Sequence, residues 1–281
     1  MKFFKGFAVH GPEAPGELSE EFAKIPQDLT LDSISGNFKL FQYIDGHRFS
    51  TDDLLVAWYG TTNAPSSSTV LDLGSGIGTV ATIAAWRLIG AQFVTVEVQE
   101  ISVTLALKSC KYNGLDKRFD IRCGDFRDAE ILKNSEKFDL ILGSPPYFPL
   151  ENGVTSENEQ KTMCRFEFRG NISDYCKVAS QHLTTGGVFA CIFPIEPGFQ
   201  EQRVIDAAKE SFLSIVKRRN VVLKEGQKPI LGLFMMMNSE DLPKPFREIT
   251  FHEPNLTIRS RDGSVNHEYS TIKISIGFQP Y

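Results

Sequence analysis

The feature that most constrains the fold of this chain is the regular alternation of strand-like and helix-like segments between residues 69 and 210. Short apolar runs rich in β-branched and aromatic residues indicate strands, and the segments of about 10–15 residues between them indicate helices. Such an alternation forms βαβ units, and we therefore predict an α/β fold with a mostly parallel, doubly wound sheet. The predicted strands are Thr69–Leu73, Gln92–Val98, Phe119–Cys123, Phe138–Leu142 and Val188–Phe193, and the predicted helices are Ile77–Leu88, Ile101–Tyr112, Ile172–Leu183 and Gln200–Glu210.

Segments on either side of this core predict further elements. Before it, Asn37–Asp45 is strand-like, and Ser50 or Thr51 is placed to cap a helix whose first turn carries two aspartates. After it, predicted strands cluster, and we expect an antiparallel C-terminal strand in the sheet. The late predicted strands are Ser214–Lys217, Ile230–Met237, Glu248–Phe251 and Thr271–Ile276.

Composition limits the class of protein and the number of domains. Apolar residues make up 41% of the 281 residues and charged residues 23%, which is typical of a globular protein, and 22 Phe exclude disorder for most of the chain. We predict a single domain over residues 37–281, preceded by an N-terminal extension over residues 1–36 in which residues 10–20 are flexible or loosely packed. The net charge of −5 argues against binding nucleic acid by bulk charge, but it leaves room for a local basic patch.

The sequence also argues against membrane, secretory and metal-dependent classes. It has no apolar run of the roughly 18 residues that a membrane span needs, and its start lacks a sustained apolar segment of the secretory kind. Five cysteines without a CxxC or His/Cys cluster indicate neither a disulfide framework nor a zinc site. We expect a cytoplasmic protein with free thiols, no metal and no membrane contact.

A glycine-rich loop follows the first strand of the core. Asp72 stands near the end of that strand, and Gly74, Gly76 and Gly78 alternate before the helix. Glycines let the backbone turn sharply and let a ligand lie against it, and the helix N-terminus offers free amide donors. The next strand ends near Glu97, where a carboxylate can accept hydrogen bonds from both hydroxyls of a ribose. A tight strand–helix turn and a solvated surface carboxylate are the alternative interpretations.

A third acid, Asp125, follows the third strand and precedes Phe126. A carboxylate there could accept a hydrogen bond from the exocyclic amine of an adenine, with the Phe126 ring beside the base. The alternative interpretation is that Asp125 only caps a helix.

A Ser-Pro-Pro-Tyr-Phe motif follows the strand that ends at residue 142. Pro145 and Pro146 fix the backbone and donate no amide hydrogen, so nearby carbonyls stay available as acceptors. Ser144 adds a side-chain acceptor, and the Tyr147 ring can stack on a planar group, with Phe148 nearby. Together they could hold a planar amino group by its two N–H bonds with its lone pair directed at an electrophile. The alternative is a stiff loop after a strand.

The glycine loop and the three strand-end acids resemble the class I S-adenosylmethionine (SAM)-dependent methyltransferases over residues 69–195. The resemblance implies a Rossmann-like fold and SAM as cofactor, with Asp72 and Gly74 near its methionine part, Glu97 on its ribose and Asp125 facing its adenine. An NAD enzyme is possible on the loop alone, but it leaves the Ser-Pro-Pro-Tyr motif unexplained. The predicted cofactor-binding residues are Asp72, Gly74, Gly76, Gly78, Glu97 and Asp125.

The Ser-Pro-Pro-Tyr motif resembles the (N/D/S)PP(Y/F) motif of amino-methyltransferases, which act on adenine N6, cytosine N4 or glutamine side-chain amides. Asn is the common first residue in the tRNA and glutamine branches, whereas this chain has Ser144, a form familiar among cytosine N4 enzymes. The motif implies that the catalytic residues are Ser144, Pro145, Pro146 and Tyr147.

A segment before the core distinguishes among these branches. Phe41–Gln42 and Gly46–Leu55 resemble a segment of the bacterial tRNA (adenine-N6)-methyltransferases, which modify the adenine 3′ of the anticodon of a valine tRNA. The similarity runs in outline over residues 37–275 and implies methylation of the exocyclic amine of a tRNA adenine by a protein that we expect to be a monomer. Phe49 and Asp52 could then lie at the mouth of the cofactor site; for Phe49, a hydrophobic staple is the alternative.

Basic residues are candidate contacts to tRNA. Arg165 and Arg169 could bind phosphates, and with Phe148 they form the predicted substrate-binding set. Lys217–Arg219 is the densest basic run; solvated surface is the alternative for all of these. Two functional alternatives also stay open: a protein glutamine or DNA amino-methyltransferase with the same motif, and a catalytically idle methyltransferase-like scaffold that binds RNA or a protein.

Overall fold

The structure is a computed structural model that describes residues 3–4, 7–147 and 170–279. Its helices are α1 (Thr51–Asn63), α2 (Thr79–Arg87), α3 (Glu100–Asn113), α4 (Ile172–His182), α5 (Phe199–Glu210) and α6 (His267–Ser275). Its strands are β1 (Phe3–Phe4), β2 (Phe7–Ala8), β3 (Leu29–Ser35), β4 (Phe38–Tyr43), β5 (Thr69–Leu73), β6 (Gln92–Glu97), β7 (Phe119–Cys123), β8 (Phe138–Gly143), β9 (Leu183–Pro194), β10 (Leu213–Lys224), β11 (Leu231–Asn238) and β12 (Phe251–Arg259).

Within the described residues, strands β5 to β12 form one sheet in the order β12-β10-β11-β9-β8-β5-β6-β7. All neighbouring strands are parallel except β11, which runs antiparallel to both β9 and β10. This sheet confirms the predicted Rossmann-like α/β fold with an antiparallel strand in its C-terminal half. β3 and β4 form a separate antiparallel hairpin.

Helices cover both faces of the sheet because its central strands bury alternate residues on opposite sides. Val70 of β5 and Leu140 of β8 contribute to a core under α1, α2 and α6. Leu71 and Ile141, the next residues in each strand, contribute to a second core under α4 and α5. A strand buried on both faces reads as a continuous apolar run, which is the pattern from which these strands are predicted.

The strand order reverses between β5 and β8. From β5 the chain adds β6 and then β7 on one side, and it returns to place β8 on the other side of β5. In open α/β sheets, ligands bind in the crevice at the carboxyl ends of the strands at such a reversal. The glycine loop after β5 and the Ser-Pro-Pro-Tyr motif after β8 therefore face each other.

Two of the late predicted strands differ from the structure. Glu248–Phe251 shares only Phe251 with β12. The predicted strand Thr271–Ile276 lies in and just after helix α6, which Asn266 caps by accepting a hydrogen bond from the Glu268 amide at 3.0 Å. Buried residues in this region are spaced as on a helix, whereas Ile274 is 49% exposed. Within the lead-in over residues 10–20, Pro15–Leu18 forms a 3₁₀ turn that buries Gly16 against Tyr112, whereas Leu18 is exposed.

Candidate active site

A cavity of about 330 Å³ lies at the carboxyl ends of β5, β6 and β8. This volume is within the range of small-molecule sites. Gly78 is the N-terminal capping residue of α2, just behind the cavity wall, and Phe148, Arg165 and Arg169 lie outside the described residues. The other predicted site residues all line the cavity: Asp72, Gly74, Gly76, Glu97, Asp125, Ser144, Pro145, Pro146 and Tyr147.

The glycine loop adopts a backbone that L side chains rarely adopt. Gly74, Gly76 and Gly78 have φ angles of +62°, +55° and +84°. A Cβ built on Gly76 would have no protein atom within 4 Å, so this residue faces open cavity. A Cβ on Gly78 would lie 3.4 Å from the Ala106 Cβ, in ordinary contact with α3.

Glu97, at the end of β6, is held in place from two sides. Its Oε2 accepts a hydrogen bond from the Gly76 amide at 2.9 Å, and its Oε1 accepts one from the Gln99 amide at 2.8 Å. The residue is only 6% exposed, yet it lines the cavity. The carboxylate is therefore a fixed acceptor and not a mobile surface group.

Asp72 supports the loop from beneath. It is 1% exposed, and its Oδ2 accepts a hydrogen bond from the Ala81 amide in the first turn of α2 at 3.1 Å. Burial raises the pKa of Asp72 well above its usual value, against the smaller effect of that hydrogen bond.

Asp125 both lines the cavity and caps a turn. Its Oδ1 accepts a hydrogen bond from the Arg127 amide at 2.9 Å, and its Oδ2 lies 2.6 Å from Arg127 Nη2. The two alternatives given for Asp125 are thus compatible, because a carboxylate that caps a turn can also face a ligand.

The N-terminus of α1 completes the cavity wall. Ser50 is its capping residue: the Ser50 hydroxyl accepts a hydrogen bond from the Asp52 amide, and Asp53 Oδ2 accepts one from the Ser50 amide at 2.8 Å. Burial, with a contribution from the nearby Asp52, raises the pKa of Asp53 to about 7. Phe49 and Asp52 line the cavity, as does His47.

The β3–β4 hairpin fixes the loop that leads into α1. Gln42 is fully buried; its Oε1 accepts a hydrogen bond from the Phe49 amide at 2.9 Å, and its Nε2 donates to Asp32 Oδ2 at 2.8 Å. Arg48 Nη2 lies 2.9 Å from the same Asp32 oxygen. This network explains why Gln and Arg occur in the distinguishing segment before the core.

Tyr147 is anchored at both ends of its side chain. Its hydroxyl donates a hydrogen bond to Asp52 Oδ2 at 2.5 Å, and its ring packs edge-on against Phe193 with centroids 5.8 Å apart. Its carbonyl accepts a hydrogen bond from Gln200 Nε2 at 3.1 Å. Burial and the nearby Asp52 raise the pKa of Tyr147 well above its usual value, although a hydrogen bond from Ser144 opposes this.

Tyr175 is a cavity residue that the sequence analysis missed. It lies on α4, is buried, and packs edge-on against Phe126 with centroids 4.8 Å apart. A Cβ on Gly74 would lie 2.1 Å from the Tyr175 hydroxyl oxygen, and one on Gly143 would lie 2.9 Å from its ring. The sequence signal is a glycine at the end of each of two motif strands, Gly74 directly after β5 and Gly143 as the last residue of β8, which leaves space for a side chain from elsewhere.

The basic run Lys217–Arg219, a candidate phosphate contact, is already paired within the chain. Lys217 Nζ lies 3.0 Å from Glu253 Oε1, Arg218 pairs with Glu201, and Arg219 Nη2 lies 2.5 Å from Glu268 Oε1. The three basic side chains therefore have a structural role within the chain.

Known methyltransferases resemble this chain in sequence and in fold. Residues 53–166 match the family described as Methyltransferase small domain. Among solved structures, a predicted O-methyltransferase from Agrobacterium tumefaciens superposes with a TM-score of 0.61 at 15% identity, covering 82% of this chain and 98% of that chain. A modification subunit of a putative type I restriction enzyme from Vibrio vulnificus gives 0.53 at 12% identity, covering 81% and 52%. The chain thus has the Rossmann-like fold of methyltransferases.

Curated relatives are more specific. The tRNA1(Val) (adenine(37)-N6)-methyltransferase of Shewanella amazonensis is 31% identical over 209 residues, which cover 73% of this chain and 85% of that protein. The protein of the same name from Pasteurella multocida is 28% identical over 225 residues, covering 78% and 89%. The chain belongs to this family of methyltransferases.

Proposed function

We propose that this protein is a SAM-dependent N-methyltransferase that acts on the exocyclic amine of an adenine in tRNA. The observation that carries the proposal is that the glycine loop after β5, Glu97 after β6 and the Ser-Pro-Pro-Tyr motif after β8 line one cavity. A cofactor and an amine acceptor held there would be adjacent. The names of the curated relatives supply the substrate class.

The cavity residues fit SAM. Gly76 leaves its side of the cavity open, and the buried Ser75 hydroxyl has no hydrogen-bond partner among the described residues, so a polar ligand group would satisfy it. Glu97 would hold the ribose, Asp125 would face the adenine, and Asp72 with the glycine loop would lie near the methionine part. When bound, SAM supplies an electrophilic methyl group on a positively charged sulfur.

The residues of the motif would hold and orient the target base. Once the base has left its stack, the Ser144 hydroxyl oxygen and the Pro145 carbonyl would accept hydrogen bonds from its two amine N–H groups, and Tyr147 would support the ring plane. Because Asp52 and Phe193 anchor Tyr147, its ring would not need to be ordered when the base binds. A neutral amine held in this way does not require a general base from the protein.

Other parts of the proposal concern the partner and its location. We propose that the tRNA contacts Phe148, Arg165 and Arg169. Lys217–Arg219 is not part of this set, because its three side chains are already ion-paired within the chain. No described helix has the length and apolarity to cross a bilayer. We propose a monomer that acts in the cytoplasm, where unmodified tRNA is found.

The direct test is incubation with methyl-labelled SAM and unmodified tRNA, with a double-stranded DNA and a mixture of cell proteins as parallel acceptors. We expect label in tRNA, and nucleoside mass spectrometry should identify it as N6-methyladenosine. Label in DNA or protein, with none in tRNA, would contradict the proposal. Failure to bind SAM by calorimetry would instead support the idle scaffold.

A further inference from the structure

The basic residues on and near strand β10 form two sets, one ion-paired within the chain and one not. Lys217–Arg219, in its middle, are ion-paired as described above. Lys224 at its end is exposed, as are Lys228 in the following turn and Arg259 and Arg261 at the end of β12. Within the described ranges, none of these four cations forms an ion pair, although the chain as a whole is acidic.

The fold places like charges side by side. In the parallel pairing of β10 with β12, Lys224 is the register partner of Arg259. Like charges on paired strand positions destabilise a sheet. Within the chain, Arg259 Nη1 donates a hydrogen bond to the Gly263 carbonyl at 3.0 Å, and no carboxylate among the described residues pairs with either side chain. A Cβ on Gly226 would lie 3.9 Å from Arg261 Nη2, so the turn after β10 and the turn after β12 are close together.

The carboxylates of these two turns are engaged with the backbone or a hydroxyl. Glu225 Oε2 accepts a hydrogen bond from the Arg261 amide at 3.1 Å. Asp262 Oδ1 accepts hydrogen bonds from the amide and the hydroxyl of Ser264, at 2.9 Å and 2.7 Å. They hold the turns in shape, and the cations outnumber them.

The four cations lie at the same end of the sheet as the candidate active site, beyond the carboxyl ends of the parallel strands. Because β11 runs antiparallel, its first residue, Leu231, is paired with Pro194 at the carboxyl end of β9, next to β8. The turn between β10 and β11 therefore projects beside the cavity. β8 and β10 are three strand spacings apart in the sheet, which is about 14 Å at about 4.8 Å each, and β12 is one spacing further out.

We propose that Lys224, Lys228, Arg259 and Arg261, here called the edge cations, bind the phosphate backbone of the tRNA whose base enters the cavity. The inference rests on the proposed function, since the phosphates in question belong to the RNA whose base would enter the cavity. Exposed, unpaired cations in a row suit a chain of phosphates, and phosphate contacts position a nucleic acid without reading its sequence.

The test compares double variants, each of which removes two positive charges. Lys224→Gln with Arg259→Gln, and Lys228→Gln with Arg261→Gln, should each weaken tRNA binding at least tenfold at about 0.1 M salt, and should lower the slope of log affinity against log salt by about one per charge removed. The loss should appear in KM for tRNA, while SAM affinity by calorimetry stays unchanged. Gln is polar and all four positions are exposed, and thermal unfolding of each variant checks that the fold is intact. Lys209→Gln with Lys244→Gln, two exposed lysines at the opposite edge, is the matched control.

The outcomes separate this inference from the proposed function. Methylation of tRNA by all variants with unchanged affinity and salt slope would overturn the role of the edge cations and leave the function standing. Weakened tRNA binding in the edge variants, with methyl transfer only to another acceptor, would support the RNA surface and contradict the function. Weakened binding to an acidic protein or to anionic vesicles, with tRNA binding intact, would overturn the inference.

Discussion

Gly74 and Gly76 occupy the same loop and the same backbone region, but a methyl group at each would meet different surroundings. At Gly74 it would collide with Tyr175, and at Gly76 it would enter the open cavity. We therefore expect Gly76→Ala to cost only the backbone strain of about 1–2 kcal/mol while weakening SAM binding at least tenfold. Thermal unfolding and calorimetry measure the two effects. Gly74→Ala is the control and should lower the melting temperature further; equal SAM affinity in Gly76→Ala and the unaltered protein would refute the assignment.

Tyr147 has two separable functions, a ring beside the base and a hydroxyl bound to Asp52. Tyr147→Ala removes both and should lower kcat by about a hundredfold, which is typical of lost orientation. Tyr147→Phe keeps the ring and should lose less, as should Asp52→Ala, since each removes only the hydrogen bond that anchors the ring. Single-turnover rates with saturating SAM and tRNA would show this order. Full activity of Tyr147→Ala would rule out a stacking role.

Asp53 makes the stability of the ligand-free protein depend on pH. Its pKa is about 7 in the folded state and about 3.9 when unfolded, so the folded state binds more protons between these values. The contribution of Asp53 to the free energy of unfolding must therefore fall as pH rises from about 4 to about 7. Asp53→Asn keeps an acceptor for the Ser50 amide and should flatten this fall in melting temperature.

Asp139 provides a control in which the pH dependence of stability has the opposite sign. Burial raises its pKa, but hydrogen bonds from Ser68 and Thr69 outweigh burial and hold it below the usual value. Asp139→Asn should therefore lower the melting temperature most at neutral pH. An identical pH profile for Asp53→Asn and the unaltered protein would show that Asp53 does not titrate in this range.

At the residue scale, local motifs could be predicted from the sequence and contacts between motifs could not. The glycines, Glu97 and the Ser-Pro-Pro-Tyr segment each have a local pattern, and they line one cavity. Tyr175 and the bond between Asp52 and Tyr147 have no such pattern, because their partners are distant in sequence and only the topology brings them together.

At the scale of elements, the strands of the parallel core were predicted to within a few residues because burial on both faces makes them continuous apolar runs. Helix α6 was mistaken for a strand, since its β-branched residues alternate with polar ones in the sequence. The helical spacing of its buried residues and the Asn266 cap outweigh that preference. β10 is longer than predicted because its ion pairs allow charged residues inside a sheet.

At the scale of the whole molecule, the predicted N-terminal extension makes specific contacts with the rest of the chain. β3 pairs with β4 across the predicted boundary, and the Ser35 hydroxyl donates to the Ile276 carbonyl. The Gly36 amide donates to the Gly277 carbonyl at 2.8 Å. We expect deletion of residues 1–36 to lower the melting temperature by more than 10 °C or to prevent folding, because it unpairs β4 and removes these buried bonds. A deletion variant with unchanged thermal unfolding would establish an independent appendage.

The bond between Gly36 and Gly277 also has a consequence for synthesis. A chain made from its N-terminus completes the β3–β4 hairpin long before it completes the segment after α6. The hairpin positions the loop before α1, yet its own last bonds come from that late segment, with Trp86 enclosed between the two glycines. The hairpin that fixes the loop before α1 therefore gains these bonds only after residues 276 and 277 have been made.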